Sequence, residues 1–187
     1  MKRILAVFGV PVLAGCLTTN PPEVSFWPLE YKGTANVSAD ARFGVARVSQ
    51  VLVRAPYNSA EITVLRADGS LAFDAYNEYA AVPSSLLKGV LVQALQASGR
   101  FKAVVNASSS VRSAVSVEMF VGRMALDCRT TGERHAVVEL LVRIIGEGDE
   151  IWIVKGEGRE SAADGNYGVA FSKAVTAALE SALGGLR

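Results

Sequence analysis

Residues 61–106, EITVLRADGSLAFDAYNEYAAVPSSLLKGVLVQALQASGRFKAVVN, change hydrophobic period twice. Up to Tyr79, apolar and polar residues alternate in two runs around Asp68-Gly69, a dipeptide that supplies the positive φ of a tight hairpin. Beyond Pro83 the alternation stops. Leu86, Leu87, Val90, Leu91, Ala94 and Leu95 then recur at the spacing of one helical stripe. Pro83 suits the first helical turn, Ser84 and Ser85 offer caps, and Gly99 can take the left-handed position at the exit. RFKAVVN restarts a strand at once. A hairpin, a helix and a returning strand in this order predict a sheet with helices on it.

The flanks extend the same pattern. RFGVARVSQVLVRAP (42–56) alternates and ends before Pro56, while SAVSVEMFVGRMAL, HAVVELLVRIIG and IWIVKGEGRE are three further β-type runs. The chain closes on a helix whose Tyr167, Ala170, Phe171, Ala174, Ala178 and Ala182 share a face, with Asp164 or Asn166 as cap and Gly184 as stop. The order β-β-β-α-β-β-β-β-α predicts an α+β fold: a two-layer sandwich, one largely antiparallel sheet with two helices packed on one face. Residues 42–187 form this single domain, long enough for a sizeable core in a chain that is 50% hydrophobic.

Ahead of the domain lies a different kind of sequence. Lys2 and Arg3 precede an apolar stretch, Ile4 to Leu13, too short to span a bilayer core of about 30 Å as a helix. It ends in small residues and a cysteine, Leu13-Ala14-Gly15-Cys16. These residues resemble the bacterial lipobox. The resemblance implies a signal peptide over 1–15, cleavage before Cys16, a diacylglyceryl thioether on its sulfur and a fatty acyl group such as palmitate on its amine. Two or more acyl chains anchor stably, at about 0.8 kcal/mol per buried CH₂. Leu17 in the second mature position, rather than aspartate, implies sorting to the outer membrane, facing the periplasm.

Cleavage would remove Lys2 and Arg3 and leave 17 basic against 18 acidic residues. A nearly neutral chain has no electrostatic footprint for nucleic acid. With Cys16 acylated, Cys128 has no partner for an internal disulfide and reads as a small, reduced, buried hydrophobe. Residues 16–41, proline-rich and aperiodic, read as a lipidated N-terminus and extended tether, with an r.m.s. span of roughly 25 to 30 Å if it behaves as a coil. Phe26 and Trp27 exceed what a flexible linker needs. They suit either an extended strand docked on the domain or an anchor for a partner.

Catalytic chemistry finds little support. The sequence has no Gly-x-Ser-x-Gly elbow, His-Glu-x-x-His helix or phosphate-binding glycine loop. DCRTTGERH gathers Asp127, Cys128, Glu133 and the single histidine, His135, but at a spacing of no ligand motif, so it reads as a hairpin turn. The Gly-Glu-Gly segments at 146–148 and 156–158 read as a turn and a turn or bulge. The expectation is therefore a non-enzymatic protein with no catalytic residue, cofactor or metal.

Residues 62–105 resemble the ABC-type transport auxiliary lipoproteins, the paraquat-inducible-type outer-membrane lipoproteins of MCE transport systems. In that family a hairpin ends in a Tyr-rich strand, an aromatic-x-x-x-Pro step enters a Leu-rich helix, and Ser-Gly-x-Phe opens the next strand. Here the step is Tyr79 to Pro83, with Tyr79 where the family usually has tryptophan, and the exit is Ser98-Gly99-Arg100-Phe101. The resemblance, which extends over about 43–183, implies an auxiliary subunit of an MCE/ABC-type lipid transport system. Such a subunit is held in the outer membrane by the lipid on Cys16 and docks an MCE-domain protein; assembly of the subunit into a homo-oligomeric ring would suit a tunnel-like partner. Alternatives are an assembly-factor lipoprotein of the lipopolysaccharide-translocon type and a periplasmic lipid carrier. Alternation in LAFDAYNEY predicts that Leu71, Phe73, Ala75 and Tyr79 face the core. Tyr76, between Asp74 and Glu78, then joins Phe26 and Trp27 as a partner-binding residue.

Overall fold

Among the described residues, two helices cover one face of an eight-stranded sheet and leave the other face open. The computed structural model describes residues 23–35, 41–148 and 150–186. In chain order the elements are β1 (Ser25–Trp27), β2 (Phe43–Val53), β3 (Glu61–Leu65), β4 (Leu71–Tyr79), α1 (Pro83–Ala97), β5 (Phe101–Asn106), β6 (Val115–Asp127), β7 (His135–Ile145), β8 (Ile151–Ser161) and α2 (Tyr167–Gly184). The two-layer α+β sandwich is the expected one.

Strand β6 is the hub of the sheet. Along one side β7 runs antiparallel to it, and β8 pairs antiparallel with β7. Along the other side β2 and β3 lie end to end, both parallel to β6, with β5 beside β2, β4 beside β3 and β1 outside β4. The longest pairings are antiparallel, as expected. The parallel pairings of β2 come from the crossover through α1, which returns the chain in its original direction.

The helix-facing side alternates cleanly. Ala136, Val138, Leu140, Val142 and Ile144 of β7 are buried, as are Val117, Met119, Val121, Met124 and Leu126 of β6. The change of phase in β6 is a bulge between Val121 and Arg123, where Gly122 intervenes. Helix α1 lays Leu87, Val90, Leu91, Ala94 and Leu95 against β2 and β5, each such large side chain contributing roughly 1.5–3 kcal/mol by burial. Pro83 is its first residue, as the sequence predicts. Its cap is neither Ser84 nor Ser85: the Asn58 side-chain oxygen, from the β2–β3 loop, accepts the Ser84 N–H at 3.0 Å. At the exit Gly99 has φ +64°, and Phe101 then stacks on Phe43 at 5.2 Å.

Helix α2 is capped by Asn166, whose side chain accepts the Val169 N–H at 3.2 Å. It approaches β7 and β8 through Ala174, Ala178 and Ala182. Directly beneath lie Gly156 and Gly158. A Cβ at Gly156 would collide with the Ala178 carbonyl oxygen, and one at Gly158 with the Ala174 carbonyl oxygen. These glycines are therefore neither turn nor bulge, since β8 pairs with β7 without a register shift; they admit the helix backbone.

The segment from Ser25 to Lys32 is laid down on the domain, as the docked-strand reading has it. Ser172 and Thr176 of α2, both buried, accept the Glu30 and Lys32 N–H groups at 3.1 and 2.8 Å. Two extended residues advance about 6.6 Å and four helical residues about 6.0 Å, so the two rises keep step. Tyr31 donates to Glu180 at 3.2 Å, and burial, with Glu180 beside it, pushes its hydroxyl up to about 12.

Gly156→Ala is expected to destabilise the domain by about 3 kcal/mol, because helix backbone must move. Gly89→Ala, on the exposed side of α1 with nothing within 4 Å of a new Cβ, is expected to stabilise it by about 0.5–1 kcal/mol. Urea unfolding of the two variants checks both signs.

Candidate functional site

Strands β1 and β4, at one edge of the sheet, carry three exposed aromatic residues. Phe26 is 62% exposed, Phe73 54% and Tyr76 53%, with Leu71 exposed beside them. Parallel pairing sets Phe26 opposite Glu78 and Trp27 opposite Tyr79. Trp27 turns inward: its indole N–H donates to Asn77 Oδ1 at 3.0 Å, and its ring lies over Gly168 and near Tyr167. Of the three residues expected to bind a partner, Phe26 and Tyr76 thus stand at the surface, while Trp27 fastens the strand that carries Phe26. Cys16 lies outside the described residues.

Phe73 is not a core residue, contrary to the alternation of LAFDAYNEY. Asp74 Oδ1 accepts the Tyr76 N–H at 2.9 Å and the Asn77 side-chain N–H at 3.0 Å, which closes an Asx turn inside the strand. Opposite it, β3 advances from Glu61 to Thr63 while β4 retreats from Glu78 to Phe73. The extra residues break the period of two, so Tyr79 is buried while Leu71, Phe73 and Ala75 are exposed. Asp74 between apolar neighbours is the signal for this turn.

Tyr79 lies edge-on to Phe171 at 5.3 Å, and its buried hydroxyl has no hydrogen-bond partner among the described residues. Desolvation raises its pKa well above the usual tyrosine range. A phenol in a position where its OH gains nothing marks a site selected for ring volume.

The DCRTTGERH segment forms the β6–β7 turn, as expected, but its aspartate is more than a turn residue. Asp127 is buried on the open face and accepts two hydrogen bonds from the Arg129 guanidinium at 2.9 Å each, one from the Arg129 backbone N–H at 3.2 Å and one from Arg159 at 2.9 Å. The Arg129 bonds hold its carboxyl well below the usual range, against the opposing effect of burial. The grip ties the turn to β8. His135, half-buried, stands 3.3 Å from the exposed Glu133. Cys128 is a free, half-buried thiol whose pKa burial pushes up, which favours the unreactive protonated form.

Tyr79→Phe removes the unpartnered hydroxyl and is expected to leave stability unchanged or raise it by up to about 1 kcal/mol in thermal unfolding. Asp127→Asn is expected to cost about 1–2 kcal/mol at neutral pH, a modest figure because both arginines are half exposed. Since the folded carboxyl titrates below the unfolded one, this stabilisation is complete above pH ~4 and fades as pH falls further. Unfolding curves of wild type and variant should converge in acid.

No family model matches the chain, and no curated protein matches it. Solved structures do. The crystal structure of a Xanthomonas campestris protein of family-model DUF330 is similar at 20% identity over 81% of this chain and 88% of its own, with a TM-score of 0.64. An uncharacterised protein is similar at 15% identity over 73% of this chain and 81% of its own, with a TM-score of 0.51. A PelC dodecamer from Paraburkholderia phytofirmans is similar at 14% identity over 81% of this chain and 95% of its own, with a TM-score of 0.45. What the first two share with this chain is the fold: a mixed sheet covered on one face by helices.

Proposed function

We propose that this chain is a periplasm-facing outer-membrane lipoprotein that serves, without catalysis, as the auxiliary subunit of an MCE/ABC-type lipid transport system. The lipid on Cys16 holds it to the membrane, and the β1–β4 edge receives the MCE-domain protein. The observation that carries this reading is the exposure of Phe26, Phe73 and Tyr76 on β1 and β4, at one edge of the sheet. Exposed aromatic side chains along one sheet edge, with Asp74 and Glu78 on the same strand, have the composition of a protein contact that mixes apolar and polar groups.

The residues behind the family resemblance also have physical roles that support it. Tyr79 fills the space against Phe171, Pro83 opens α1, Gly99 ends it and Phe101 stacks on Phe43. Each sets the angle between the hairpin, the helix and the next strand. The edge that presents Tyr76 is thereby positioned by the same residues that carry the resemblance.

Cys16→Ser is expected to abolish fatty-acid labelling and release a folded chain from the membrane. Labelling that persists in this variant overturns the anchor. Tyr76→Ala is expected to change stability by less than about 0.5 kcal/mol, as for an exposed position, yet weaken capture of the MCE-domain protein by roughly tenfold. Capture at wild-type strength by Tyr76→Ala and Phe26→Ala together overturns the docking edge.

A further inference from the structure

On the open face of the sheet, strand register stacks side chains into rows. Leu52, Phe120, Leu141 and Lys155 form one row across β2, β6, β7 and β8, with Leu52 49% and Phe120 43% exposed. In the row on one side, Glu118 faces Arg143, whose Nε donates to Glu118 Oε2 at 2.8 Å. In the row on the other side, Arg123 faces Glu139, with Nη1 2.7 Å from Oε1. Four charges thus mark the corners of a rectangle around Phe120 and Leu141, with Lys155 and Glu157 of β8 outside it at the rim. On β6 the acid is at 118 and the base at 123; on β7 the base is at 143 and the acid at 139.

Signs that alternate around a rectangle make it complementary to itself. A two-fold axis lying in the plane of the face and along the strands sets Glu118 and Glu139 of one copy over Arg143 and Arg123 of the other, and carries Lys155 onto Leu52 rather than onto itself. A partner surface of uniform charge meets two like charges here in any orientation, so the pattern selects against it. The dimensions also suit a second copy. These four strands are 11 to 13 residues long, and at ~3.3 Å per residue and ~4.8 Å per strand they offer a footprint of about 700 Å². A standard interface buries about 800 Å² per partner, with an apolar centre and a polar rim.

We infer that the open face joins two copies of this chain in an isologous dimer, sheet against sheet with the helices outward. The contact is separate from the β1–β4 edge and does not depend on the function proposed for that edge.

The test uses the full chain carrying Cys16→Ser. Sedimentation is expected to give twice the monomer mass, and Phe120→Lys, at a position already exposed, to give the monomer mass with an unchanged melting curve. Reversing all four charges, with Glu118→Arg, Arg143→Glu, Arg123→Glu and Glu139→Arg, keeps both cross-strand pairs and restores a self-complementary pattern. This variant is expected to dimerise with itself. Mixed with differently tagged chain of the original charge pattern, it is expected to form mixed dimers at a level roughly tenfold or more below the statistical share, because like charges then meet. A chain that stays monomeric at its highest soluble concentration overturns the inference. So does a dimer that survives Phe120→Lys, or mixed dimers in statistical proportion.

Discussion

The close approach of α2 to β8 is the constraint on which the other arrangements rest. Gly156 and Gly158 leave no side chain between the strand and the carbonyls of Ala178 and Ala174. With alanines on the helix and glycines on the strand, the layers come nearer than Leu-on-Val packing would allow. Phe171 then reaches Tyr79, and the Ser172 and Thr176 hydroxyls come to lie where the N-terminal segment passes. A wider gap would lose all these contacts together.

From that placement follows the position of the first strand. Ser172 and Thr176 hold the backbone of Glu30 and Lys32, and Gly168 leaves room for Trp27. Trp27 in turn donates to Asn77, the residue that also bonds Asp74 within the Asx turn of β4. The chain of contacts therefore runs from the helix, through the strap, to the strand that presents Tyr76. The aromatic edge is a product of the core rather than an appendage to it.

Much of the fold is legible in local pattern, because a helix stripe and a strand alternation each report one buried face. The hairpin at Asp68-Gly69, both helices, the left-handed Gly99 and the Asn166 cap are all local features, and all are present. What escapes is non-local or breaks the period. Asn58 caps a helix from a different loop, which no window around Ser84 contains. Phe73 is exposed because Asp74 spends its side chain on the backbone of its own strand. Gly156 and Gly158 look like flexible turn residues until the helix above them is placed. The candidate edge is half legible: Phe26 follows from excess aromatic content and Tyr76 is exposed as expected, whereas the exposure of Phe73 and Ala75 on the same strand needs the bulge.

The two faces of the sheet solve opposite problems with the same alternation. Toward the helices, β6 and β7 place Val117, Met119, Val121, Val138, Leu140 and Val142, which need only complementary volume. On the other side the same strands must remain soluble while exposing Phe120 beside Leu52 of β2, and cross-strand pairs of opposite charge flank Phe120 and Leu141. Isolated pairs at such exposure add little stability, so stability alone is a weak reason for setting two of them around one apolar row. Their order along the strands, acid then base on β6 and base over acid on β7, carries information that a neutral polar surface would not. It distinguishes partners by arrangement of charge rather than by net charge, which is the form of recognition open to a chain whose acids and bases nearly balance.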